Sequence, residues 1–113
     1  MKDREQTLLQ VLGYVLLQHA QPEKASVLLA ALTTLSPGQP RVMRMLALSQ
    51  LRAGKAQRAL DTLDELAMTG GADAAFHLLR AQALGALQRP EEAAQSMQAF
   101  VQLRALAATR TGA

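Results

Sequence analysis

Pro22-Glu23-Lys24-Ala25 returns 68 residues later as Pro90-Glu91-Glu92-Ala93, with one charge reversed. Midway between them, after Gly54, stands Lys55-Ala56-Gln57-Arg58-Ala59. Ala25, Ala59 and Ala93 are therefore 34 and 34 residues apart. Three more series keep the same register: Gly13, Ala47 and Ala81; Leu29, Leu63 and Met97; Leu32, Leu66 and Phe100. A chain that returns at this interval to small residues at two positions and large apolar residues at two others repeats one structural unit three times.

Composition says what the unit is made of. Apolar residues make up 50% of the 113 and aromatics only 3%, so strand formers are scarce while Leu and Ala dominate. Leu and Ala are strong helix formers, whereas strands favour β-branched and aromatic side chains. Turn chemistry divides the helices. Pro22 and Pro90 suit first helical turns, Ser36-Pro37-Gly38-Gln39-Pro40 breaks the chain, and Gly54 and Gly70-Gly71 end helices. Asp3 or Arg4 starts the first helix, and Asp73 suits an N-cap. This spacing predicts helices near 3–20, 23–35, 40–53, 56–69, 73–88 and 91–108, in one domain over residues 1–108, with a frayed, disordered tail at 109–113. The paired helices of each unit should cross at the Gly13/Ala47/Ala81 and Ala25/Ala59/Ala93 positions, where a larger group would force them apart.

The period and residue types resemble the tetratricopeptide repeat. Leu9, Leu12-Gly13, Leu16, Ala25, Leu29, Leu32 and Pro37 fill its pattern in the first unit. Met43, Leu46-Ala47, Gly54, Ala59, Leu63 and Leu66 fill it in the second, and Ala81, Leu84, Ala93, Met97 and Phe100 in the third. His77 and Arg80 depart from it, standing where apolar residues are usual. The resemblance implies an all-α fold of three helix–turn–helix repeats in a short right-handed solenoid. It also implies that the first helix of each repeat lines a concave groove. On the family's groove positions this gives Tyr14 and Leu17 in the first repeat, with Gln18. The second gives Arg41, Arg44, Leu48, Leu51 and Arg52, and the third Leu78 and Gln82. Arg41, Arg44, Leu48 and Arg52 also share one helix face by spacing alone. An apolar floor with a central basic stripe suits an amphipathic helix or extended segment carrying acidic residues. The competing reading of the arginines is ordinary solvated charge. Leu48 and Leu51 resist that reading, because an exposed apolar patch marks a partner site.

Solenoid ends need polar caps, and the last predicted helix carries Ala94, Met97, Phe100, Val101, Leu103 and Leu106 around more than one face. Either it folds back on the bundle or its outer side meets a second chain.

Other chemistries lack their residues. There is no cysteine, so no disulfide or thiolate site. The two histidines, His19 and His77, belong to no metal-binding or catalytic motif. Gly70-Gly71 lacks the spacing and lysine of a phosphate loop. Asp61, Asp64 and Glu65 solvate one helix face. No cofactor and no catalytic role are expected. The formal charge is +3, a weak field for nucleic acid despite a pI near 10.0. The polar start lacks a secretory signal's apolar core, and no apolar run is long enough to span a membrane.

A narrower resemblance is to the YscY-like chaperones of bacterial type III secretion systems. It rests on Leu12-Gly13-Tyr14, Leu16-Leu17-Gln18, Glu23-Lys24-Ala25, Leu28-Leu29-Ala30-Ala31-Leu32, Leu35-Ser36-Pro37, Leu79-Arg80-Ala81-Gln82 and the segment from Ala93 to Leu103. It implies a cytoplasmic chaperone that keeps a small early export substrate, YscX-like, soluble until secretion, and that also contacts the export gate. A homodimer or a higher heterocomplex stays open. So do a chaperone for needle or translocator subunits and a pilus-assembly module.

Overall fold

A computed structural model describes residues 3–112. Among them lie six helices: α1 (Asp3–Gln18), α2 (Pro22–Leu35), α3 (Pro40–Arg52), α4 (Ala56–Met68), α5 (Ala74–Ala86) and α6 (Pro90–Gly112). Each packs on the next, and α3 also touches α1 and α5. Among the described residues α2 and α4 do not meet. The arrangement is thus a one-dimensional stack, α1–α2, α3–α4 and α5–α6.

The small residues stand where the helices cross. Gly13 is buried, and a Cβ added there would meet Leu29 Cδ2 at 2.9 Å. Ala47 and Ala81 hold the matching places in α3 and α5, both buried. Ala25 and Ala59 are buried, and Ala93 is half-buried against Ala59, Leu60, Ala83 and Leu84. Around the crossings the large residues fill three clusters. Leu17, Ala25, Leu29, Leu32, Val42 and Leu46 join α1 and α2 to α3. Met43, Ala47, Leu63, Leu66 and Phe76 join α3 and α4 to α5. Full burial of a Leu such as Leu29, Leu63 or Leu84 is worth about 1.5–3 kcal/mol.

The turn inside each repeat recurs atom for atom. Residues 20, 54 and 88 all take a left-handed conformation, with φ of 57°, 80° and 58° at Ala20, Gly54 and Gln88. The amides of Gln21, Lys55 and Arg89 reach back to the carbonyls of Leu16, Gln50 and Leu84 at 2.8–2.9 Å. This closure ends α1 at Gln18 and α5 at Ala86, short of the residues 20 and 88 that periodicity alone would allow. The turns between repeats use Gly38 and Gly70, with φ of 80° and 82°. A Cβ at Gly71 would collide with Leu66.

The last helix, expected to stop near residue 108, continues to Gly112, because Ala105, Leu106, Ala107, Ala108 and Arg110 favour helix and nothing breaks it before that glycine; of the expected tail at 109–113, residue 113 lies outside the described residues. The two residues of the third repeat that depart from the pattern, His77 and Arg80, find partners within α5 and on α4. Arg80 Nη1 donates to Asp64 Oδ1 of α4 at 3.0 Å, and His77 lies edge-on to Phe76 with centroids 4.9 Å apart. Asp73 is the N-cap of α5, its carboxylate accepting from the Phe76 amide at 3.0 Å.

The left-handed turn gives one prediction. Glycine adopts that region without the steric cost a Cβ imposes, roughly 1 kcal/mol. Gln88→Gly should therefore raise unfolding stability by about 0.5–1 kcal/mol in urea titrations. The crossing gives another. Ala59→Leu should lose about 1–3 kcal/mol by overpacking against Leu60, Ala83 and Leu84. A parent-like midpoint for the leucine variant would contradict the crossing.

Candidate functional site

The first helices of the repeats, α1, α3 and α5, lie side by side and leave a continuous groove. Its first stretch, of ≈ 240 Å³, is lined by Thr7, Gln10, Val11 and Tyr14 of α1 and by Arg41 and Met45 of α3. Its second, of ≈ 510 Å³, runs between α3 and α5. Arg44, Met45, Leu48, Leu51 and Arg52 form one wall, and Ala75, Leu78, Leu79 and Gln82 the other. Met45 belongs to both stretches and so joins them. Leu51 carries the surface on towards Lys55, Arg58 and Leu87.

Helical spacing explains why these side chains converge. In α3, residue 41, then 44 and 45, then 48, then 51 and 52 follow at steps of three and four and share a face. The opposite face, Val42, Met43, Leu46 and Ala47, is buried in the core. Met45, Leu48, Leu51, Leu78 and Leu79 are half-buried, so apolar surface remains on offer along the floor.

Polar contacts set the groove's width. Gln39, at the entry to α3, donates to Gln6 Oε1 at 3.0 Å and to Ser36 Oγ at 2.8 Å, and accepts from Gln10 Nε2 at 3.2 Å. These hold α1 beside α3. On the other side Arg44 Nη1 donates to Asp73 Oδ2 at 3.0 Å while the other oxygen of that carboxylate caps α5. One side chain thus closes the start of α5 and ties it to α3.

The electrostatics are one-sided. Arg41 and Arg52 are exposed at the rim, and among the described residues no carboxylate lines either stretch. Glu92 is held below the usual carboxylate range by hydrogen bonding to the Arg89 guanidinium, but it lies at the exposed start of α6, outside the groove. Among the described residues no cluster of three potential metal ligands occurs. No described helix is long and apolar enough to cross a membrane.

Of the residues expected from the sequence, Arg44, Leu48, Leu51, Arg52, Leu78 and Gln82 meet in the second stretch, and Tyr14 and Arg41 in the first. Leu17 does not join them. It is 6% exposed and packs in the core with Ala25 and Leu29. Tyr14 lines the groove, whereas Leu17, near the end of α1, belongs to the core cluster that α1 shares with α2 and α3. Met45, Val11, Thr7 and Gln10 were not anticipated. Met45 stands one residue after Arg44 and four before Ser49, and its place between two groove stretches is visible only once α1 is set against α3.

The comparisons agree with this architecture. The profile of the tetratricopeptide repeat matches residues 16–83. Among solved structures, the Yersinia enterocolitica type III secretion translocator chaperone SycD, in an alternative dimer, superposes with a TM-score of 0.85 at 20% identity. The superposition covers 92% of this chain and 79% of that one. At this identity the likeness establishes the fold. A comparison with curated protein sequences gives no significant match.

Asp73 is the residue whose loss best tests the site's construction. Asp73→Ala removes a cap and an ion pair together and should cost about 1–2 kcal/mol. Asp73→Asn keeps capping ability and should stay within about 0.5 kcal/mol of the parent, by chemical denaturation.

Proposed function

The chain belongs to the tetratricopeptide-repeat family, and from that premise we propose that it is a type III secretion chaperone acting by protein–protein contact. Its guest is an amphipathic helix or extended segment of an export substrate. The observation that carries this reading is the α3–α5 groove, with a leucine and methionine floor, arginines at its edge and no lining carboxylate. A guest laying an apolar stripe on Met45, Leu48, Leu51, Leu78 and Leu79 would bury them, each worth up to about 1.5–3 kcal/mol before ordering costs. Acidic side chains flanking that stripe would meet Arg41 and Arg52. Arg44, already paired with Asp73, positions the wall and is a weaker charge partner. Such contacts fix register and speed association more than they add affinity.

The finer assignment follows the sequence resemblance: a small early export substrate of the YscX type, with docking on the export gate, in the cytoplasm. A second reading has its own support. The superposition with SycD, which is described as a translocator chaperone, favours a translocator subunit as guest. Neither reading needs a cofactor, since binding alone keeps the guest's apolar surface from water.

The deciding experiment co-expresses the chain with a YscX-like substrate and with a translocator subunit from the same host, and measures which one it solubilises. Leu48→Asp should weaken that complex at least about 100-fold in Kd, since it loses an apolar contact and buries a charge. Its far-ultraviolet circular dichroism should match the parent. Unchanged affinity would remove the groove from the binding site.

A further inference from the structure

The 34-residue register gives each residue of α1 a counterpart in α3 and α5, and the counterparts show what α1 is built to touch. Leu8 corresponds to Val42 and Phe76, which are 1% and 4% exposed where α3 and α5 lie against the helix before them; Leu8 is 67% exposed. Leu12 corresponds to Leu46, which is buried, and to Arg80, which is half-buried and bonded to Asp64 of α4; Leu12 is itself 46% exposed. Val15 corresponds to Ser49 and Ala83, both fully buried, and is exposed. Spaced by four and three, these three residues form one stripe on α1. It is the face with which α3 packs on α2, and α5 on α4.

The opposite end shows the complement. Met97 and Phe100 of α6 correspond to Leu63 and Leu66 of α4, which are fully buried in the cluster that holds Phe76 of α5. Met97 is 40% exposed and Phe100 half-buried. So α1 presents the surface of a helix that follows another, and α6 the surface of a helix that another follows. Charge fits the same pairing. A short turn joins α4 to α5, so the end of one adjoins the start of the other. Continuing that pattern sets Arg104, the counterpart of Gly70, beside Asp3 and Glu5, the counterparts of Gly71 and Asp73, in the first turn of α1.

We propose that this chain associates end to end with further copies of itself, α1 of one copy lying on α6 of the next as α5 lies on α4. The contact is heterologous, each copy giving a different face, and the groove stays open along the assembly. Pairing two α1 helices would instead leave Met97 and Phe100 uncovered.

Crossed variants in sedimentation velocity decide it. The parent mass should rise with concentration through the micromolar range, and less steeply in high salt. Leu12→Asp, which blocks the α1 face, and Met97→Asp, which blocks the α6 face, should each be monomeric alone. Mixed in equal amounts they should form one heterodimer, because each supplies the face the other lacks. Both positions are exposed, so helical content should be unchanged; Leu8→Ser with Met97→Ser serves as a milder pair. A parent that stays monomeric, a Met97→Asp variant that dimerises alone, or a mixture with no heterodimer would overturn the proposal. The first of these would leave the two faces to helices of another protein.

Discussion

At Gly13 the backbone of α1 comes so close to Leu29 of α2 that a single added carbon would press on the leucine at 2.9 Å. The matching places in the other repeats hold alanines, and the partner helices answer with Ala25, Ala59 and Ala93. This close crossing is what the rest of the molecule depends on. It sets the spacing of each helix pair, and with it the angle at which the next pair must be laid. Leu29, Leu63 and their neighbours then fill the wedge between pairs and exclude water from it. The groove is the other side of the same geometry: helices held tight on their core faces leave their far faces open.

The central helix α3 carries most of the consequence. One face supplies Val42, Met43, Leu46 and Ala47 to two core clusters, and the other supplies Met45, Leu48 and Leu51 to the groove floor. A substitution on either face is therefore felt differently: in the core as lost packing, in the groove as lost recognition. The Arg44–Asp73 pair sits at the border. It is partly exposed and contributes little net stability, yet it links the cap of α5 to the wall of α3. Its value is positional.

How much of this could be read in the residues follows from what each signal encodes. The crossings were legible because only small residues fit them, and a 34-residue return of Ala or Gly is hard to mistake. Helix starts were legible where Pro22, Pro40, Pro90 or Asp73 mark them. Helix ends were less so: residues 20 and 88 are Ala and Gln, which give no sign of a left-handed turn that Gly54 announces at the equivalent place. The groove face of α3 was legible by spacing, since Arg41, Arg44, Leu48 and Arg52 fall on one stripe. Leu17 was misplaced because a leucine near a helix end can serve either face, and the angle between α1 and α2 decides which. Met45 escaped because its role comes from two neighbours, α1 and α5, that sequence alone does not bring together. Arg80 read as a misfit because its partner, Asp64, lies on another helix.

Within the stack, each groove-lining helix packs heavily on the helices next to it in sequence and only sparingly on the other groove-lining helices. Adhesion thus resides on the convex and inner sides, and the concave side is bridged by little more than the glutamine contacts near Gln39 and the Arg44–Asp73 link. Such a body bends like a watch strap. Small rotations about the α2–α3 and α4–α5 contacts would open or narrow the channel at the expense of few contacts on the concave side. A surface hinged in this way can grip segments of unequal girth with the same residues, trading a rigid mould for an adjustable clasp.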